Sequence, residues 1–135
     1  MIVCRDPIVL GTPDTKDMLD LAEVAKSGPF GPRTPLLGHY FGYRNGGRLL
    51  AMGSERFCLP GFVELSAISV RPDARGAGLG SAIALYLACQ ISARGEIPFL
   101  HVFPDGSAVA LYRRLGFRER TRLWVIWRRY VAGAR

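Results

Sequence analysis

The sequence predicts an α/β fold of the α+β kind, a mixed sheet flanked by helices, in a single domain over residues 1–135. Three observations carry that expectation. Between Leu36 and Val70 the chain holds apolar, strand-like runs separated by Asn-Gly-Gly and Pro-Gly turns, the pattern of an antiparallel meander. A glycine-rich turn then leads from the last of these runs into a helix-like stretch, Ser81 to Arg94. A strand-like run, a short helix-like run and a terminal strand-like run follow.

Each element has a local reason. Ile8-Val9-Leu10 reads as a short strand. Thr12-Pro13-Asp14 reads as N-cap, first-turn proline and first-turn acid of a helix to about Lys26, with Leu19 and Val24 toward the core. Ser27 to Pro35 is rich in glycine and proline, so an irregular loop is expected. Leu36–Arg44 and Arg48–Cys58 read as strands joined by a hairpin turn at Asn45-Gly46-Gly47. Leu59-Pro60-Gly61 turns the chain into a third strand, Phe62–Val70. A strand over Ile97–Phe103, a helix over Ser107–Leu115 stopped by Gly116, and a strand over about Thr121–Arg129 complete the order.

The most informative stretch is Val70 to Ser81: Val-Arg-Pro-Asp-Ala-Arg-Gly-Ala-Gly-Leu-Gly-Ser. A strand that empties into an Arg/Gly turn opening a helix is suited to holding phosphates. Glycines let backbone N–H groups approach an anion, the helix N-terminus adds its positive dipole end, and arginine adds full charge. No Gly-Lys-Ser/Thr follows, so this is not a Walker loop. The glycines are too tightly spaced for a dinucleotide fingerprint, and no strand-end acid stands at the right distance downstream.

The stretch resembles the acetyl-CoA pyrophosphate loop of the GNAT superfamily of N-acyltransferases, Arg/Gln-x-x-Gly-x-Gly/Ala, with Arg75, Gly78 and Gly80 at its fixed positions. A second segment, Pro104 to Phe117, is similar to the superfamily's Asn-x-x-Ala-x-x-Leu-Tyr-x-x-x-Gly-Phe. Ala108, Leu111, Tyr112, Gly116 and Phe117 match, and Asp105 stands where Asn is usual, with its helix-capping chemistry expected to persist. The two elements cover about Glu64 to Phe117.

The resemblance implies a GNAT-like splayed sheet with a shortened N-terminal region, and acetyl-CoA as co-substrate wedged where the strand ending at Val70 parts from Ile97–Phe103. It implies that Arg75, Gly76, Gly78, Leu79, Gly80 and Ser81 hold the pyrophosphate. Asp105 and Ser107 would complete the cofactor site. The backbone of Ile68, Ser69 and Val70 would pair with pantetheine, and an N–H near Ile68 would polarise the thioester carbonyl. Tyr112 is the expected proton donor to the thiolate, because a phenol keeps its proton at neutral pH; its alternative is packing the helix on the sheet. Two candidates stand for the general base. Glu64 is expected on one strand face with Ser66 and Ile68, or else as a solvated strand glutamate. His101 shares a face with Phe99 and Phe103, or else is a satisfied core histidine. His39 is a weaker candidate. The loop around Phe30 and Arg33 either closes over the acceptor or merely connects. Trp124 and Trp127 are expected on opposite faces of the last strand, as core and interface.

Composition bounds the function. The net charge is +7, and it is uneven. Residues 1–70 carry seven Lys/Arg and seven Asp/Glu, while residues 71–135 carry eleven and four, so the second half holds all the excess. A basic half suits a polyanion, and CoA phosphates need only a local cluster, so nucleic acid is not the expected partner. No apolar run is long enough to span a membrane, and the N-terminus does not read as a signal peptide. Cys4, Cys58 and Cys89 are odd in number and widely spaced, which points to reduced thiols in the cytoplasm, with no disulfide frame or metal site. The expected activity is transfer of an acetyl or acyl group to a primary amine of a small molecule or peptide. The alternative is an inactive CoA-binding sensor or scaffold of the same fold. The oligomeric state stays open, a homodimer included.

Overall fold

The computed structural model describes residues 5–126. Among the described residues five strands lie in the sheet in chain order: β1 (Ile8–Leu10), β2 (His39–Asn45), β3 (Arg48–Leu59), β4 (Phe62–Val70) and β5 (Ile97–Phe99). The first four are antiparallel neighbours, and β5 runs parallel to β4. The mixed sheet follows from the connections. Gly46 and Gly47, both at positive φ, close the β2–β3 hairpin, and Gly61 closes β3–β4. The route to β5 passes through helix α2 (Leu79–Ala93), a crossover long enough to reverse the chain.

Helix α1 (Thr15–Ala25) covers one face of the sheet and α2 the other; a short α3 (Ala108–Arg114) follows β5. On the α2 face, Val63 and Leu65 pack with Ile83, Leu87 and Ile91. This helix is apolar nearly all round, as a helix against a sheet centre should be. Gly53 makes the close approach possible, because a Cβ there would lie 2.4 Å from Ile83 Cγ2. On the other face Met18, Leu21 and Ala22 pack with Leu10, Tyr40, Leu49 and Met52. The stripe of α1 is therefore Met18–Leu21–Ala22; Val24, expected inside, is 45% exposed. Pro13 starts a 3-10 turn, Thr12–Asp14, whose N-cap is Gly11 rather than Thr12. Among the described residues no helix is long and apolar enough to cross a membrane.

Several boundaries differ from expectation. Leu36 and Leu37 belong to a 3-10 turn, Thr34–Leu37, because Pro35 starts a helical turn and delays the strand to His39. The Phe30 ring meets Tyr40 edge-on at 6.0 Å, which seats the Gly/Pro loop on the α1 face. β5 stops at Phe99, four residues early, because β4 and β5 part there. Thr121–Ile126 form no strand and Trp124 is 95% exposed, so it is not a core residue. Trp127 and the rest of that expected strand lie outside the described residues, as does Cys4.

Candidate active site

The turn after β4 is built as a cradle of N–H groups. Pro72–Ala74 form a 3-10 turn, Arg75 is extended, and Gly76 and Gly78 take φ of 85° and 79°. No L side chain adopts that conformation cheaply, which explains both glycines. Gly78 is the N-cap of α2 and has no side chain to cap it. The first N–H groups of a 15-residue helix, at Leu79, Gly80 and Ser81, therefore have no capping side chain. Arg75 is exposed and has no ion pair among the described residues. An anion fits these features together.

Next to the cradle, β4 is broken by a bulge. Ser66 pairs with Ser54 and Ser69 with Met52, so three steps on β4 match two on β3. Ala67 sits at the bulge with φ of 53°, a strained value for alanine. The extra residue exchanges the faces. Ala67 packs with the α1 cluster and Ile68 with the α2 cluster. Ile68 therefore does not share a face with Glu64 and Ser66, as simple alternation predicts; the bulge resets the period. Ladder pairs between β4 and β5 end at Glu64–Phe99, so from Leu65 to Val70 the strand has no β5 partner. Ser69 is buried and its hydroxyl donates to the Ala67 carbonyl, which braces the bulge.

The two candidate bases prove to be neighbours. His101 Nδ1 lies 3.3 Å from Glu64 Oε1. Glu64 is only 7% exposed, and its Oε2 is buried with no partner. His101 is 59% exposed at its side chain, which corrects the expectation of a core histidine. It lies past the end of β5, where the splay opens the chain to solvent, and its ring meets Phe99 edge-on at 5.8 Å. Val63 and Leu65 face α2, so Glu64 faces the α1 side. His39 lies opposite Glu55 on the sheet and takes no part in this pair.

Tyr112 stands on the other side of the splay. It packs on the α2-face cluster with Leu100 and Phe117, and its ring meets Phe117 edge-on at 5.8 Å. Burial raises its phenol above the usual value, which keeps the proton on oxygen. Both readings of Tyr112 are thus compatible with its place, since it packs and carries a proton.

Asp105 does not cap α3. The N-cap is Ser107, in a helical conformation and without a side-chain cap bond, and Asp105 is exposed two residues earlier. The turn is held by backbone bonds instead, Gly106 N–H to Phe103 and Val109 N–H to Gly106. Sequence reasoning missed one residue, Arg56. Its Nε is buried without a partner, and its guanidinium lies 5.0 Å from the centre of the Phe57 ring. Burial raises the phenol of Tyr40, and a Ser54 hydrogen bond and the Arg56 charge oppose that shift. No motif or spacing marks Arg56; only strand pairing sets it opposite Glu64.

Residues 40–125 match the family described as FR47-like protein. A GNAT-family protein of Novosphingobium aromaticivorans is similar at 35% identity, over 89% of this chain and 55% of that one, with a TM-score of 0.81. The chain belongs to the FR47-like family of the GNAT superfamily. This GNAT chain thus spans about half the length of the Novosphingobium protein. It is also similar to the ribosomal-protein-S18-alanine N-acetyltransferase of Escherichia coli, at 27% identity over 84% of this chain and 77% of that one, TM-score 0.75. At 19% identity, Rv2747 of Mycobacterium tuberculosis, solved in complex with CoA, shares the GNAT fold over 89% of this chain and 76% of that one, TM-score 0.70. No curated protein matches the sequence.

Proposed function

We propose that the chain transfers an acetyl group from acetyl-CoA to a primary amine. The observation that carries this reading is the free length of β4, Leu65 to Val70, lying between the uncapped start of α2 and the Glu64–His101 pair. Pyrophosphate fits the N–H cradle at Gly76–Ser81, with Arg75 supplying charge. Pantetheine amides fit an unpaired strand edge, here Ile68 to Val70. The CoA complex of Rv2747 and the acetyltransferase relative in Escherichia coli support the same co-substrate. We place the reaction in the cytoplasm, a reading supported by the free thiols Cys58 and Cys89.

The residues divide the proton work. An amine arriving as ammonium gives one proton to His101, whose Nδ1 is oriented by the Glu64 carboxylate so that Nε2 presents a lone pair. The neutral nitrogen attacks the thioester carbonyl carbon, and a backbone N–H at the Ala67–Ile68 bulge stabilises the oxyanion. As the intermediate collapses, the C–S bond breaks and the thiolate takes the Tyr112 proton. The amide nitrogen loses its second proton, which returns to the tyrosine through solvent. The products are the acetamide, CoA thiol and one proton released from the base. His101 stands beside Glu64 and Tyr112 packs on the α2-face cluster, so the two proton-handling groups are separate.

Calorimetry with acetyl-CoA and dephospho-CoA, followed by thiol release on a panel of amines, tests the reading. Heat from acetyl-CoA binding and amine-dependent thiol release are expected. Absence of binding overturns the reading as a whole. Binding without thiol release from any amine would favour a CoA-binding module instead.

A further inference from the structure

Among the described residues, two side-chain atoms are buried without a hydrogen-bond partner: Glu64 Oε2 and Arg56 Nε. An unpartnered buried charge is costly, so a pair of opposite sign in one place calls for an explanation. The two residues are neighbours across the sheet. Glu55 pairs with Leu65 and Cys58 with Val63, so the β3 residues Arg56 and Phe57 together stand opposite the single Glu64. This is a second bulge, three steps on β3 against two on β4. Glu55 reaches Arg94 at the end of α2, and Val63 and Leu65 pack on α2, so Arg56 and Glu64 both point to the α1 face.

Side chains directly opposite one another on a sheet face have Cβ atoms roughly 5 Å apart, well within reach of a salt bridge between arginine and glutamate. Yet no such bridge forms. The glutamate turns to His101 at 3.3 Å, and the guanidinium lies against the Phe57 ring. The sheet residues clustered with α1 are Leu10, Tyr40, Leu49, Met52 and Ala67. What is left is a negative and a positive group side by side, both partly desolvated, each with an unused hydrogen-bonding atom.

We propose that the acceptor is a free α-amino acid, its ammonium held by Glu64 and His101 and its carboxylate by Arg56. The proposal rests on the acetyl-transfer reading and narrows its substrate class. A molecule with amine and carboxylate on one carbon matches two oppositely charged groups on adjacent strands. A guanidinium fork donates two N–H bonds to a carboxylate, and the Phe57 ring lies 5.0 Å from the Arg56 guanidinium. The same arrangement disfavours a plain amine, which brings no carboxylate to the guanidinium, and a protein N-terminus, which carries no carboxylate on that carbon.

The test compares glycine, leucine and glutamate with glycinamide, leucinamide, ethylamine, γ-aminobutyrate and a blocked-C-terminus tripeptide. Thiol release gives kcat/KM, and calorimetry in the presence of CoA gives binding. We expect glycine and leucine to exceed their amides by about ten- to hundredfold, the range for a hydrogen-bonded charged contact. In Arg56→Met that ratio should collapse toward one. Arg56→Lys, which keeps the charge and loses the fork, should lose most of it and decides the matter if Arg56→Met does not fold. Amides, amines or the tripeptide used as well as the amino acids would overturn the proposal, as would a ratio unchanged in both variants. If no acceptor releases thiol, calorimetry separates the two claims. Amino-acid binding that is lost in Arg56→Met upholds this site while the transfer reading falls, and no amino-acid binding overturns the site itself.

Discussion

His101 Nδ1 and Glu64 Oε1 lie 3.3 Å apart, although 37 residues separate them in the chain. One comes from the middle of β4 and the other from just beyond β5, at the point where the two strands stop pairing. The contact turns two competing candidate bases into a single unit, in which a nearly buried carboxylate orients an exposed imidazole. Five outcomes are expected from this and neighbouring features.

His101→Gln should lower kcat/KM by about 10²–10⁴, the usual contribution of a positioned base. Glu64→Gln should lower it less, because the imidazole remains but loses its anionic orienter. In both variants the defect should shrink as pH approaches the pKa of the amine itself, where free amine no longer needs a base. A pH–rate series on one amine checks this; equal activity of His101→Gln at neutral pH removes the histidine from the chemistry.

Tyr112→Phe should slow turnover by about 10²–10⁴ with acetyl-CoA affinity nearly intact. Burial raises the phenol above its ordinary value, so the folded state holds that proton more tightly than the unfolded chain. The stabilisation is complete below the unfolded value of about 10 and is lost as pH rises through the folded one. Stability should therefore fall less steeply above pH ~10 in Tyr112→Phe than in the parent, as read by denaturant titration.

Arg75→Ala should weaken acetyl-CoA binding by about 1.5–3 kcal/mol, the range for hydrogen bonds to charged groups. Its exposed side chain makes no ion pair among the described residues, so folding stability should stay put. Calorimetry and a thermal melt together distinguish a phosphate contact from a structural one.

Arg94 binds both oxygens of Glu55, at 3.1 and 2.9 Å, and also Glu96 at 3.0 Å. Arg94→Ala leaves the 8% exposed Glu55 carboxylate without its partner. Breaking a fully buried pair costs about 3–5 kcal/mol. Arg94 is 44% exposed, so solvent screening reduces the expected loss to about 1–2 kcal/mol. Urea denaturation measures it; an unchanged midpoint means that water replaces the guanidinium at no cost.

Gly53→Ala should destabilise the fold by about 1–3 kcal/mol, as overpacking does. The new methyl would sit 2.4 Å from Ile83 Cγ2, on a fully buried core residue. A stability loss within the noise of the melt would show that α2 shifts outward easily.

Local chemistry alone was enough for much of the fold. The turn glycines at 46, 47 and 61 and the apolar runs between them marked the β2–β4 meander, and Phe62–Val70 was legible to the residue. The strand–turn–helix unit was legible because Gly76 and Gly78 take backbone angles that few other residues accept. The site was legible only as separate candidates. Its assembly depends on two bulges, at Arg56–Phe57 and at Ala67–Ile68, and nothing in the residue types there announces a break in alternation. Alternation by itself put Glu64 and Ile68 on one face and did not set Arg56 opposite Glu64. Tertiary structure decided both, because strand register is a matching of two distant segments. A single inserted residue on one of them changes which side chains look at the same space. It also decided that β5 ends at Phe99, where the parting of the sheet frees His101 to meet Glu64.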